Sequence, residues 1–373
     1  MSREYQNAKK RKRVYSKENE AVEPTIVVDT CKPTAIYQPT KGREWTVTVA
    51  LPGSIIANAQ SLEQKTFLAG NIARALAVFC VDEVVIFSDG NSHGNVANFH
   101  ANRSQFSNNP ADLVQQNYTG VSDPDHFLVH LLSYLETPPH LRKQFFPLHP
   151  NLRIAGTLPS LDLPHHLKAD EWCLYREGVT LPGSDKHGTF VEAGLRVPVT
   201  IEEQLPAKTR VTLKFRNGAE EDNKNAKIDT VFADPVSPFE PRDESGYYWG
   251  YQIRRADSLS SVFTECTYTG GYDISIGTSE RGSNLESLYT NTGNQIGEFK
   301  HLLLVFGGVA GLEVAVRNDQ ELQKLEVVEA KDVFDHWINI CPGQGSRTIR
   351  TEEALWIGLT GCKRLVNLNE NVS

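Results

Sequence analysis

Three apolar runs late in the chain each stop in a turn of small residues: "YDISIGTSERG" from Tyr272, "HLLLVFGGVAGLE" from His301 and "FDHWINICPGQGS" from Phe334. Short continuous apolar runs are what strands covered on both faces need, so these read as strands of a parallel sheet. Loops that leave the carboxyl ends of such strands line the ligand crevice of an open α/β sheet. Glycine at those positions lets backbone N–H and C=O groups approach a ligand closely. Gly307-Gly308-x-x-Gly311 is not the Gly-x-Gly-x-x-Gly dinucleotide fingerprint and lacks the Lys-Ser/Thr of a phosphate loop. NAD and ATP are therefore disfavoured, and a ligand held mainly by backbone is favoured. One glycine turn after a strand is ordinarily structural; three together, the last carrying Arg347 and Arg350, point to a pocket.

The first half supports the same sheet. "EWTVTVALPGS" alternates Trp45, Val47, Val49 and Leu51 before a Pro-Gly turn. Leu68, Ile72, Leu76 and Phe79 then recur at helical spacing, and "VDEVVIFSD" supplies a second buried strand, completing a β-α-β unit. A helix is expected over His126 to Leu135, stopped by Pro138-Pro139, and "LRIAG" at Leu152 to Gly156 reads as a further strand. From Val179 to Thr269 the apolar residues alternate in short bursts, "FVEAGLRVPVTI", "RVTLKF" and "YYWGYQIRRA", as in a small antiparallel β domain, barrel included. The chain closes with a helix over Thr351 to Leu365, with Glu352 and Glu353 in its first turn where the helix dipole favours them.

The expected organisation is a disordered basic tail over 1–42, an α/β domain over 43–178, an inserted β-rich domain over 179–270, and the α/β domain again over 271–373. Within it, the Asn-, Ser- and Gly-rich residues from about 90 to 120 read as a flexible insertion in a loop. The composition is that of a soluble globular protein, without an apolar run that could span a bilayer and without the apolar segment of a secretory leader. Six scattered cysteines, none at Cys-x-x-Cys spacing, argue against a zinc ribbon or dithiol site and for reduced thiols in an intracellular protein. The formal net charge of −8 excludes indiscriminate coating of nucleic acid, so any RNA contact must use a local basic face. The one dense basic run, Lys9 to Arg13, reads as a nuclear import signal, a phosphate-binding arm or a merely solvated tail.

"LLLVFGGVAGLE" and "INICPGQGSRTIRTEEALWIGL" resemble the SPOUT-class methyltransferases, and specifically the eukaryotic SPOUT domain-containing family of RNA methyltransferases. "VTVALPGSII", "YLETPPHLRKQFFPLHPNLRIAG", "LDLPHHLKADEWCLYREGV" and "GTSERGSNLESL" are similar to that family's motifs in the same order, from Trp45 to Leu365. The resemblance implies an α/β domain with a C-terminal trefoil knot, S-adenosylmethionine as cofactor, pairing of two chains near each site, and an OB-like identity for the inserted β domain. It implies cofactor loops at Gly277, Thr278 and Ser279; at Phe306, Gly307, Gly308 and Gly311; and at Ile340, Cys341, Pro342, Gly343, Gly345, Ser346 and Ile349. "SRTIRTEEA" also resembles a stretch of bacterial SPOUT enzymes that methylate N3 of a ribosomal-RNA uridine, which implies rRNA as partner; a nuclear or nucleolar location is expected from the basic run.

Loss of the N3 proton would spread negative charge onto O2 and O4, where a fixed cation stabilises it. Arg350 is the first candidate and Arg347 the second; each reads equally as a partner for Glu352, Glu353 or another carboxylate. Glu313 reads either as a holder of cofactor or base, or as a helix cap. Arg281 suits a phosphate or a solvated loop. Arg254 and Arg255 beside "YYWGYQ" suit single-stranded RNA or an exposed edge of an aromatic core. His165 and His166 lack a third ligand at matching spacing, so hydrogen bonding is expected of them and no metal. Methylation of a ribose 2′-OH or a protein side chain, and a non-catalytic RNA-binding scaffold, are the competing readings.

Overall fold

The computed structural model describes residue 39 and residues 41–90, 118–185, 188–225, 228–289 and 295–372. The Lys9 to Arg13 run and most of the Asn-rich stretch lie outside them. Six strands form one sheet in the order β11-β9-β10-β1-β2-β8: β1 (Thr46–Pro52), β2 (Glu83–Phe87), β8 (Gln252–Ala256), β9 (Ile274–Asn284), β10 (His301–Val305) and β11 (His336–Asn339). All five pairings are parallel.

Every residue of β1 and β2 is buried. Their side chains alternate between two cores, because successive residues of a strand face opposite sides. Val49, Val84, Ile86 and Leu304 enter one core, with the helices Leu62–Val78, Pro124–Glu136 and Thr351–Val372 over it. Ala50, Val85, Phe87 and Leu303 enter the other, beneath the short helices Leu259–Thr264 and Leu312–Asn318. A capping box starts the first helix: Ser61 Oγ accepts from the Gln64 N–H at 3.2 Å while the Gln64 side chain reaches back to the Ser61 N–H. Asp123 caps the second through the His126 N–H at 3.0 Å.

Two expectations need correction. "LRIAG" is not a strand: Pro150–Leu152 and Ala155–Thr157 are 3-10 turns. Pro150 sits at the first position of the earlier turn, where its fixed φ suits helical backbone, and His149 caps that turn by accepting from the Asn151 N–H. "YYWGYQIRRA" does not belong to the inserted β domain, for it runs into β8, the edge strand beside β2. Tyr248 and Tyr251 anchor it in the main core, donating to the carbonyls of Val81 at 3.0 Å and Leu132 at 3.2 Å. A short alternating burst fits a barrel strand and a sheet edge equally well.

The remaining five strands close a barrel, β3-β4-β5-β7-β6: β3 (Tyr175–Asp185), β4 (Gly188–Glu192), β5 (Val199–Ile201), β6 (Arg210–Phe215) and β7 (Val231–Val236). Val191, Ile201, Leu213 and Val231 fill it. A polar seam joins barrel to sheet. Arg210 donates to both Glu136 oxygens at 2.7 and 3.0 Å and to Glu177 at 2.7 Å. Glu177 also receives Thr212 Oγ1 at 2.6 Å and the Trp249 indole N–H at 2.8 Å. Burial alone would raise the Glu136 carboxyl, but Arg210 and His165 outweigh it and hold it well below the usual carboxylate range. His165 and His166 both reach the Glu136 carbonyl through Nε2, at 3.0 and 2.6 Å. Burial, then His165, pushes His166 down to about 3, so it is a neutral hydrogen-bonding ring.

Candidate functional site

The carboxyl ends of β9, β10 and β11 meet around a cavity of about 510 Å³. Its first wall is a break in pairing. Gly277 of β9 pairs with Trp337, but the next β11 residue, Ile338, pairs with Ser283, so residues 278–282 bulge out of the ladder. Thr278, Ser279 and Arg281 thereby line the cavity. The expected turn is thus a bulge within one long strand. Thr278 Oγ1 fixes it to β10 by donating to the Val305 carbonyl at 3.0 Å. A side chain on Gly277 would overlap the Phe334 ring, so this glycine permits close packing behind the wall.

The second wall is the loop after β10. Gly311 donates its N–H to the Gly308 carbonyl at 3.0 Å, closing a tight turn with Gly311 at φ +75°. A methyl group on Gly307 would lie 2.8 Å from the Gly311 carbonyl carbon, so only glycine fits there without moving the loop. Gly307, Gly308 and Gly311 all face the cavity. Behind Gly308 stand Ser54 and Asp89, joined by a 2.5 Å hydrogen bond from Ser54 Oγ.

The third wall, Asn339 to Thr351, is tied to the other two. Asn339 accepts the Cys341 N–H at 3.0 Å and donates to the Glu280 carbonyl at 2.9 Å. Thr351, the first residue of the C-terminal helix, donates its hydroxyl to the Gly307 carbonyl at 2.9 Å. Ile340, Gln344, Arg347 and Ile349 complete the lining.

Of the residues singled out from the sequence, Thr278, Ser279, Gly307, Gly308, Gly311, Ile340, Ile349, Arg281, Glu313 and Arg347 come together on the cavity. Phe306 lies beneath it, 1 % exposed, against Gly358 of the C-terminal helix. Cys341, Pro342, Gly343, Gly345 and Ser346 form the outer arc of the third loop and are not among its walls; neither is Arg350. The Arg350 N–H donates to Glu353 at 2.9 Å, so Glu353 caps the helix start with its carboxylate. Glu313 is not the cap of its helix, which is Gly311; it stands in the first turn, 3.9 Å from Arg281 across the cavity mouth.

Arg254 and Arg255 are on β8, at the opposite edge of the sheet, and not on the barrel. Arg254 is bound to Glu83 at 3.0 Å and to the carbonyls of Ser261 and Val262, while Arg255 grips Asp123 with two bonds of 2.9 and 3.0 Å. Sequence reasoning missed Asn339, Arg317 and Thr351 as lining residues, while Gln344 lies within the expected Ile340 to Ser346 loop. Arg317 was within reach: it follows Glu313 by four residues on one helix, which puts both on one face.

The cavity lies within the size range of small-molecule sites, and two of its three walls present glycine backbone or small hydroxyls. That set of backbone amides and carbonyls with Thr278, Ser279, Ile340 and Ile349 suits a ligand with polar and apolar parts. Among the described residues no group of three His, Cys, Asp or Glu is placed to hold a metal ion, and no helix is long and apolar enough to cross a membrane.

A parallel sheet whose adjacent strand ends close over one glycine-walled crevice is the architecture of α/β proteins that take a small ligand at the carboxyl edge. The chain matches the family described as "Putative RNA methyltransferase" over residues 46–362, and it belongs to that family. It is 44% identical over 324 residues to a human protein named 28S rRNA (uridine-N(3))-methyltransferase, covering 86% of this chain and 78% of the relative. A Drosophila melanogaster protein of the same name is 42% identical over 315 residues, covering 84% of this chain and 61% of the relative. A Caenorhabditis elegans protein named "Putative methyltransferase spot-1" is 35% identical over 318 residues, covering 83% of this chain and 78% of the relative. The protein is a methyltransferase.

Proposed function

We propose that the protein transfers a methyl group from S-adenosylmethionine to N3 of a uridine in ribosomal RNA. The observation that carries the proposal is the convergence of the three glycine-bearing strand ends on one cavity, in a chain so similar to proteins named for that reaction. When bound, S-adenosylmethionine supplies an electrophilic methyl group on sulfur. The residues that would hold it are Thr278 and Ser279, the backbone of Gly307, Gly308 and Gly311, and the apolar Ile340 and Ile349.

The protein's own work is placement and charge. Methyl transfer needs the acceptor aligned with the methyl group, and the loops achieve this by being tied to one another rather than left mobile. Uridine N3 attacks as an anion, its negative charge shared with O2 and O4. Arg347, on the cavity wall, is the cation placed to face that charge, ahead of Arg350. Arg281 and Arg317 at the mouth meet the flanking phosphate, and Glu313 orients the base or the donor's ammonium group.

The same reading makes the C-terminal segment a trefoil knot. It is supported by the course of the last helix, which binds Gly307 through Thr351 and receives the Tyr289 hydroxyl on the Gly361 carbonyl at 2.5 Å. The reading also takes the closed barrel as OB-like. Two chains pair through the first helix, where Phe67 and Val78 are 49 % exposed. The Lys9 to Arg13 run directs the protein to the nucleus. The test is incubation of the purified protein with transcribed 28S rRNA fragments and methyl-labelled donor, followed by mass spectrometry of nucleosides. Label in 3-methyluridine is expected; label in a 2′-O-methyl nucleoside, or none in RNA, overturns the proposal.

A further inference from the structure

On the outer flank of the Pro124–Glu136 helix lies a second cavity of about 740 Å³, built from the segment Arg142 to Arg153 and from Tyr134. Three cations line it, Arg142, Lys143 and Arg153, and no carboxylate does. On a chain of net charge −8, a concavity with only positive side chains is a departure that needs an explanation. Lys143 and Arg153 are exposed, and neither side chain has a hydrogen-bonding or ion-pair partner among the described residues. Arg142 is fixed instead: it donates to the carbonyls of Thr137 at 2.9 Å and Leu135 at 3.0 Å and lies 4.7 Å over the Tyr134 ring. Its charge is held in place by carbonyls and a ring, while Glu136 acts on it, and Glu63 on Arg153, only through space.

The other lining groups are flat or apolar. Phe146 stacks on His130 at 5.8 Å and 22°, and His149 meets His130 edge-on at 4.7 Å. Burial, with His149 and His126 beside it, pulls His130 down to about 4, so this platform is an uncharged aromatic surface at neutral pH. Leu148 projects fully into solvent between Pro147 and His149. Phe146 also lines the cleft of about 740 Å³ between sheet and barrel, so the two concavities share a wall.

Cations beside half-buried rings that line one cavity are what single-stranded nucleic acid requires: phosphates meet the charges and bases stack on the rings. An acidic peptide would satisfy the charges but leave the aromatic platform and the protruding Leu148 without a counterpart. We propose that the Arg142 to Arg153 cavity is a second RNA-binding site, which takes an unpaired nucleotide of the substrate and its phosphates outside the methyl-transfer pocket. The proposal rests on the reading of the protein as an RNA methyltransferase and adds to it where the substrate is gripped.

The experiment compares the full-length protein with its Lys143→Ala/Arg153→Ala variant. Binding of a labelled single-stranded uridine-rich 12-mer is measured across a salt series, and S-adenosylhomocysteine binding is measured on the same samples. Two lost phosphate contacts flatten the slope of log K against log salt by roughly 1.4, and the affinity at low salt falls about tenfold. Cofactor binding and the thermal unfolding midpoint stay unchanged, which shows an intact fold. An unaltered slope with intact cofactor binding overturns the second site and leaves the methyltransferase reading standing. Displacement of the 12-mer by a polyglutamate peptide at equal charge concentration overturns RNA as the occupant. Absence of cofactor binding in the unsubstituted protein counts against the methyltransferase reading and, with it, this one.

Discussion

Arg210 of the seam spends its side chain on two carboxylates of the same chain, whereas Arg347 of the pocket stands exposed on a wall of backbone. At the seam, Glu136 and Glu177 are nearly inaccessible and every bond is internal. In the pocket, Arg281 and Glu313 approach only to 3.9 Å, with the arginine side chain 75 % exposed. Buried polar groups must be satisfied from within, so the seam rigidly fixes the barrel on the sheet. The pocket spends its internal bonds on joining its three loops and leaves its remaining polar groups for a ligand. Polarity means attachment in one region and recognition in the other.

Substitutions should separate the two along those lines. Glu136→Ala strands Arg210 and His165 beside an empty buried site, and a loss of about 3 kcal/mol is expected in urea unfolding. Donor affinity per folded molecule should be unchanged; if stability were unchanged instead, the seam would not be what holds the barrel. Arg347→Ala should do the reverse, lowering kcat/KM about a hundredfold with the unfolding midpoint unmoved. Arg350→Ala should cost less than about fivefold, because its side chain is off the cavity wall; steady-state kinetics on the two variants ranks them.

A pH-dependent effect concerns Asp125, packed against Gly53 just past the end of β1. Burial pushes the Asp125 carboxyl up to about 7; Arg255 pulls it down, and Asp123, Asp89 and Asp257 add to the rise. The folded chain therefore holds this proton through a range where the unfolded chain has released it, and stability falls as pH rises from about 4 to 7. Asp125→Asn should remove that decline, adding about 1–2 kcal/mol at pH 8 and almost nothing at pH 4. Urea unfolding at the two pH values checks the sign.

The sheet was legible because its strands are continuous apolar runs, and the first helix because Leu68, Ile72, Leu76 and Phe79 recur at helical spacing. The pocket was legible as glycine after strand. Its division of labour was not. Arg347 and Arg350 are three residues apart in one loop, and nothing local tells which faces the cavity; that depends on Thr351 docking onto Gly307, forty-four residues away. The placement of Arg254 was hidden for the same reason, since its partner Glu83 is 171 residues distant. The cationic cavity went unread because "HLRKQFFPLHPNLR" shows its charges and rings only as composition, and their shared face comes from the short helix Arg142–Phe145 and the 3-10 turn Pro150–Leu152.

The central claim is that three strand ends make one methyl-donor pocket from backbone. Calorimetric titration of the full-length protein with S-adenosylmethionine tests it most directly, beside a Gly307→Ala variant whose added methyl crowds the Gly311 backbone. One molecule should bind per chain, and affinity should be at least about tenfold weaker in the folded fraction of the variant. No binding to the unsubstituted protein, or equal binding to both, would contradict it.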